Sequence, residues 1–254
     1  MTTTPTTAAA IEPLRARLPR PVALQLAATE YQRVVELLRT LSPEDWTRTT
    51  DCPGWDVRAM SAHMLGMVEM AASLREQARQ NRAAARRGGV FIDALTAVQV
   101  EQRADLSPAQ IVDRLAARAP KAVRGRRRTP GFVRRRTMPV RQRISGREEP
   151  WTFGYLVDVI LTRDPWMHRV DITRATGARH VLTAAHDGVL VADVVTEWAS
   201  RHGRPHTLRL TGPAGGSWSV GAGGPAIDMD AVDFCRTVSG RAPADGLLGT
   251  EVPF

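Results

Sequence analysis

A chain of 254 residues with 43% hydrophobic and 24% charged side chains has the length and composition of a soluble protein with a sizeable core. No apolar run approaches the roughly 20 residues that cross a bilayer, which argues against a membrane-spanning helix. The net charge of +9 is a local feature: between Arg118 and Arg147 there are twelve basic residues and no acidic one, so the rest of the chain is mildly acidic.

The first ten residues are rich in Thr and Ala and lack the basic and apolar regions of a signal peptide, so residues 1–20 read as a disordered tail. Cys52 and Cys235 lie far apart in sequence and suit a reducing, cytoplasmic setting. Leu24, Ala27, Ala28, Tyr31, Val34, Val35 and Leu38 recur at helical spacing and predict a first helix near 22–40. Ser42-Pro43-Glu44-Asp45 supplies an N-cap, a Pro at the first helical position and an acidic first turn for one short turn through Trp46. Cys52-Pro53-Gly54-Trp55 breaks the chain, and Cys52 stands before a helix start, where a thiolate is favoured. Asp56 then caps a second helix whose apolar stripe runs from Val57 through Met60, Met64, Met67, Val68 and Ala71 to Leu74, with His63 inside the stripe.

Further helices are predicted near 91–103, after Gly88-Gly89, and from the capping box Ser107-Pro108-Ala109-Gln110 to about 119. The Arg-rich stretch 121–147 contains Gly125, Pro130, Gly131, Pro139 and Gly146 and reads as a loop with solvated arginines. Its only aromatic residue is Phe132, so the stacking platform of single-strand binders is missing and no nucleic-acid partner is expected. A long helix over about 152–176 ends at Gly177 and turns Asp164, His168 and Asp171 inward. Beyond it come a helix at 184–202, short alternating stretches at Thr207–Thr211, Ser217–Val220 and Ala226–Met229, and a last helix from Ala231 to Ser239 capped by Asp230. His180, His186, His202 and His206 match no ligand spacing and read as surface or hinge residues.

Asp164 and His168 are four residues apart and therefore share one helix face, about 5–6 Å apart at Cβ. With His63 from a facing helix they form a carboxylate and two imidazoles that are costly to bury unpaired. A divalent metal satisfies all three, and three protein ligands with one open position is the pattern of catalytic zinc. A buried His–Asp hydrogen bond explains the same spacing. Asp171, one turn further on, is placed to orient the His168 ring.

The stretches Leu41-Ser-Pro-Glu-Asp-Trp46, Cys52-Pro-Gly-Trp-Asp-Val-Arg58 and His63-Met-Leu-Gly66, followed by Thr162-Arg-Asp-Pro-Trp-Met-His-Arg-Val-Asp-Ile172 and Ala175-Thr-Gly177, resemble the mycothiol-dependent maleylpyruvate isomerase family. Asp233-Phe-Cys-Arg236 and Ser239-Gly-Arg241 look like that family's smaller C-terminal domain. The resemblance implies a mainly α protein, with a DinB-like up-down four-helix bundle over 21–178 and a small α/β domain over 179–254. It implies a divalent metal, typically zinc, held by His63, Asp164 and His168, where the family's type enzyme carries Glu at the Asp164 position. It also implies mycothiol as thiol cosubstrate, a small electrophilic substrate, and a catalytic contribution from Arg241. Two other readings share this sequence: a mycothiol S-transferase on the same scaffold, and a non-catalytic bundle whose Arg-rich loop binds a polyanion.

Overall fold

A computed structural model describes residues 12–254. Part of the stretch expected to form a disordered tail, residues 1–11, lies outside the described residues. The rest of it is ordered: Leu14 bridges to the Trp151 segment, with its N–H donating to the Pro150 carbonyl at 2.9 Å and its own carbonyl accepting from Thr152 at 3.0 Å.

Four long helices form the bundle. Helix α1 (Arg20–Arg39) starts with Pro21 in its first turn and buries Ala27, Tyr31, Val34 and Leu38 at three- and four-residue spacing. Helix α2 (Val57–Ala72) is capped by the Asp56 carboxylate, which accepts from the Ala59 N–H at 2.7 Å. Two helices, α3 (Leu74–Arg87) and α4 (Phe91–Glu101), then form a hairpin against the outside of α2. Helix α5 (Pro108–Arg128) opens on the predicted capping box and packs between α1 and α2. After a short helix α6 (Gly131–Arg134) and a hairpin of β1 (Gln142–Ile144) and β2 (Arg147–Glu149), the chain enters α7 (Phe153–Tyr155). It then passes through one π turn (Leu156–Ile160) into α8 (Leu161–Thr176), which closes the bundle against α1 and α2. Gly177, at φ 72°, ends α8 in the left-handed conformation that favours glycine.

The remainder is a small α/β unit. Helix α9 (Val189–His202) precedes strands β3 (His206–Thr211), β4 (Gly216–Val220) and β5 (Ala226–Asp230), and helix α10 (Ala231–Val238) follows. The sheet order is β4-β3-β5, antiparallel between β3 and β4 and parallel between β3 and β5. Alternate residues of β3, including Leu208 and Leu210, face the helices. Leu26 of α1 and Trp166, Met167 and Val170 of α8 join Trp198, Leu208 and Phe234 in one apolar cluster, so the core continues across the junction between the two units. No helix among the described residues is long and apolar enough to cross a membrane.

Three sequence expectations are corrected. The stripe of α2 does not reach Leu74: Ser73 adopts an extended conformation and caps α3 instead, accepting from the Glu76 N–H at 3.3 Å, and Leu74 is exposed. Much of 121–147 is not loop. Helix α5 continues through Pro120, an exposed position, to Arg128. Gly125 is a packing residue there, because a Cβ would stand 2.1 Å from the Ala71 carbonyl oxygen of α2. That close approach outweighs the roughly 1 kcal/mol by which glycine disfavours a helix. Gly146 and Ser145, both with positive φ, make the turn between β1 and β2. Arg126 is buried and Arg134 pairs with Asp158, while the other basic residues of the segment are exposed as expected. Finally, His186 and His206 are buried. His206 begins the inward face of β3 beneath Trp198, and His186 Nε2 lies 2.7 Å from Glu30 Oε2.

Glu30 is the hub of a buried ionic network. It accepts from Arg169 Nε at 2.8 Å, and Arg169 Nη2 donates to Asp187 at 2.7 Å. Asp187 is also bound by Arg33, the Trp166 indole and the Thr183 N–H. Burial by itself would raise the Asp187 carboxyl, but Arg169 and these hydrogen bonds more than offset it and hold it at about 2 against an ordinary 3.8. A carboxylate with a lowered folded-state pKa stabilises the fold above its unfolded value and loses that contribution as pH falls through the folded one. For Asp187 the contribution is about 2 kcal/mol, and it should vanish between about pH 4 and pH 2. Asp187→Asn is therefore expected to be less stable than the unsubstituted protein in urea unfolding at neutral pH, with the gap closing across that window. A gap independent of pH would refute this account.

Candidate metal centre

The site is built where α2 and α8 face each other. His63 lies in the buried stripe of α2 because it falls three residues after Met60 and four before Met67. Asp164 and His168 lie one turn apart on the face of α8 turned toward it. The helix is interrupted just before this point. The π turn precedes Leu161, and Pro165 cannot donate to the Leu161 carbonyl. Arg126 Nη1 supplies that missing donor at 3.0 Å, and its Nη2 donates to Thr162 Oγ1 at 2.6 Å. Sequence reasoning missed this arginine within a run read as solvated loop. The signal was present: Ile111, Leu115, Ala122 and Arg126 share one helical face.

All three predicted donors converge. Asp164 Oδ2 is 3.5 Å from His63 Nε2, and Asp164 Oδ1 is 3.4 Å from His168 Nε2. The two imidazoles meet edge to face with centroids 5.3 Å apart. These separations are longer than a good N–H···O bond of about 2.9 Å. One donor atom from each of the three residues lies within 4.8 Å of the others, which leaves room for an ion between them. Asp164 Oδ2 is buried with no hydrogen-bond partner among the described residues. An acceptor left in that condition is costly and suits a cation. The Asp164 carboxylate reaches both histidines, one with each oxygen. The donor set therefore fits a divalent ion.

The electrostatics favour the charged pair. Burial would raise the Asp164 carboxyl, but His168 and His63 outweigh it and hold it well below the usual carboxylate range. Burial likewise opposes charge on His168, yet Asp164, Asp171 and Cys52 together push its pKa well above the ordinary imidazole value.

Asp171 occupies the orienting position expected of it, with Oδ2 3.3 Å from His168 Nδ1. It is fully buried, and Arg241 Nε donates to its two oxygens at 3.1 and 3.2 Å. Arg241 thus reaches the site from behind, through the segment after α10, and its Nη2 lies 3.7 Å from Cys52 Sγ. Cys52 Sγ in turn is 3.6 Å from Asp171 Oδ2, so Cys52, His168 and Asp171 form a second cluster of possible ligands sharing one histidine. Trp55 covers both imidazoles, 5.1 Å from His63 and 5.9 Å from His168. Trp166, by contrast, is part of the core.

The donors open on a cavity of about 620 Å³, within the range of small-molecule sites. Its far walls come from the α3–α4 hairpin and the 138–142 segment, neither of which was assigned to the site from sequence. Gly66 permits the hairpin's approach, since a Cβ there would meet Gln99 Cγ at 2.6 Å.

A helical bundle with a two-histidine, one-carboxylate centre at the foot of a cavity defines the class. The profile of the mycothiol maleylpyruvate isomerase N-terminal domain matches residues 27–173, more than half of the chain, and the protein belongs to that family. Two solved structures share the fold. One is the mycothiol-dependent maleylpyruvate isomerase, at 16% identity and a TM-score of 0.55. The other is a histidine-to-alanine mutant of that isomerase, at 14% identity and 0.56. Each alignment covers 89% of this chain and 90% of the other. No curated protein matches the sequence.

Asp171→Asn keeps the shape but loses the charge that orients His168 and pairs with Arg241. Isothermal titration with zinc should show an affinity weakened by about 10–100-fold with an unchanged circular dichroism spectrum. Unaltered affinity would remove Asp171 from the centre.

Proposed function

We propose that the protein is a metal-dependent, mycothiol-dependent enzyme of the maleylpyruvate isomerase type, acting on a small electrophile at the His63, Asp164 and His168 centre. The observation that carries this reading is the convergence of three metal-suited donors on the floor of a cavity wide enough for a small molecule. A divalent ion of the zinc class, when bound, supplies the positive charge that keeps a thiol in its thiolate form near neutral pH.

The chain's own residues do the rest. His63 and His168 present Nε2 as donors, and Asp171, accepting from His168 Nδ1–H, sets the tautomer that leaves Nε2 free. Arg241 acts as a positioning residue, holding Asp171 in register. Trp55 screens the imidazoles from water on one side. In an isomerisation the thiolate sulfur bonds to one carbon of a conjugated alkene, and the π pair moves into the adjoining carbonyl. Rotation about the resulting single bond precedes cleavage of the C–S bond, which returns the thiolate and leaves the trans alkene. Protonation and release of the adduct at the intermediate stage gives an S-transferase from the same site.

Protein stripped with a chelator should lose mycothiol-dependent consumption of electrophiles and regain it with zinc. His63→Ala and Asp164→Ala should each lower kcat/KM by about a hundredfold or more. Mass spectrometry of the product separates an isomerised substrate from a released thiol adduct. Thiol-dependent turnover that survives complete metal removal would sink this reading.

A further inference from the structure

The cavity above the centre has walls of one chemical character. Met67 and Met70 of α2, Phe91 and Leu95 of α4, and Phe153 and Leu156 before α8 supply thioether, aromatic and aliphatic surface. Beyond the donors and Cys52, its polar side-chain groups are uncharged: the amides of Gln77, Asn81, Gln99 and Gln142, the hydroxyl of Thr96 and the indoles of Trp55 and Trp151. The apolar surface continues outward through Ile92 and Val140, which line the cavity and are 49% and 42% exposed.

Among the described residues no Arg or Lys lines this space, and residues 1–11 contain neither. Arg141 and Arg143 flank Gln142 and point to solvent as exposed residues, and three less exposed arginines are engaged elsewhere. Arg241 is held by Asp171, Arg134 by Asp158 and Arg103 by Glu69. A carboxylate taken from water into such walls would find no bidentate cation to replace its hydration. An apolar body gains by entering, because the thioethers of Met67 and Met70 and the rings around them offer adaptable contact.

Resting on the reading of the centre given above, we propose that this cavity selects a neutral, predominantly apolar electrophile and discriminates against small dicarboxylates. The specificity then lies in the hairpin and the 138–142 segment, and the chemistry lies in α2 and α8.

The test uses the full chain without thiol, both metal-free and zinc-loaded. Nile red, a neutral apolar fluorophore, is titrated by fluorescence, and maleate is offered as competitor. One-to-one binding of Nile red is expected, undisplaced by maleate at about a thousandfold higher concentration than the dye. Ile92→Arg and Val140→Arg, at half-exposed positions that leave the core intact, should each weaken dye binding by about tenfold or more at unchanged Tm. Displacement by maleate at concentrations near those of the dye overturns the proposal, and so does dye binding indifferent to both substitutions. The maleate competition needs no variant, so it decides even if a substituted protein fails to fold. Thiol-dependent turnover of a dicarboxylate with no dye binding would overturn this inference and leave the proposed chemistry standing. The expected binding pattern without any metal-dependent turnover would support the ligand class and count against the proposed chemistry.

Discussion

Helix α8 is buried along most of its length and yet carries Arg163, Asp164, His168, Arg169 and Asp171. Each charge must find a partner, because an unpaired one in the interior would cost more than the fold can supply. The partners come from both the bundle and the α/β unit. Glu30 of α1 and Asp187 hold Arg169, and Asp193 and Glu197 of α9 hold Arg163. Arg241 after α10 holds Asp171, and His63 of α2 faces Asp164. The pairing of this one helix thus ties the bundle to the α/β unit and sets the rotation of α8 that brings its donors to the cavity. A single replacement among these partners would strand a buried charge, at a cost of about 3–5 kcal/mol.

The same arrangement explains why the small α/β unit matters to a site built on the bundle. Its sheet and helices contribute no donor among His63, Asp164 and His168, but they deliver Arg241 to the back of Asp171 and complete the apolar cluster around Trp166. Orientation of a ligand through its outer partner is a recurrent way to tune a metal centre. Here that outer partner is itself anchored by a residue more than sixty positions away in sequence.

The α3–α4 hairpin plays a different part. It packs on α2 through Gly66 and the Gln80–Gln99 amide pair, and its inner face becomes a cavity wall. The stretches that carry the family resemblance lie on α2, α8 and α10 and on the segments beside them. The hairpin lies outside them, so within this scaffold the cavity wall can change while His63, Asp164 and His168 stay in place.

Much was readable in advance. The 3.6-residue stripes of α1 and α2, the caps at Ser42, Asp56, Ser107 and Asp230, and the glycine stop at 177 are local signals whose physics does not depend on the rest of the chain. The i, i+4 spacing of Asp164 and His168 was equally local, and His63 stood out as a polar residue in an apolar stripe. What sequence reasoning could not supply was which non-local contact overrides a local preference. Gly125 reads as a breaker until α5 is seen lying against the Ala71 carbonyl, where only glycine fits. Arg126 and His186 read as surface groups until their buried partners, the Leu161 carbonyl and Glu30, are in place. The chain alone determined the helices and the donor pair, because those follow from spacing along one backbone. Tertiary structure decided the approach of His63 to Asp164, the partner of Asp171 and the character of the cavity, because each depends on atoms brought together from distant segments.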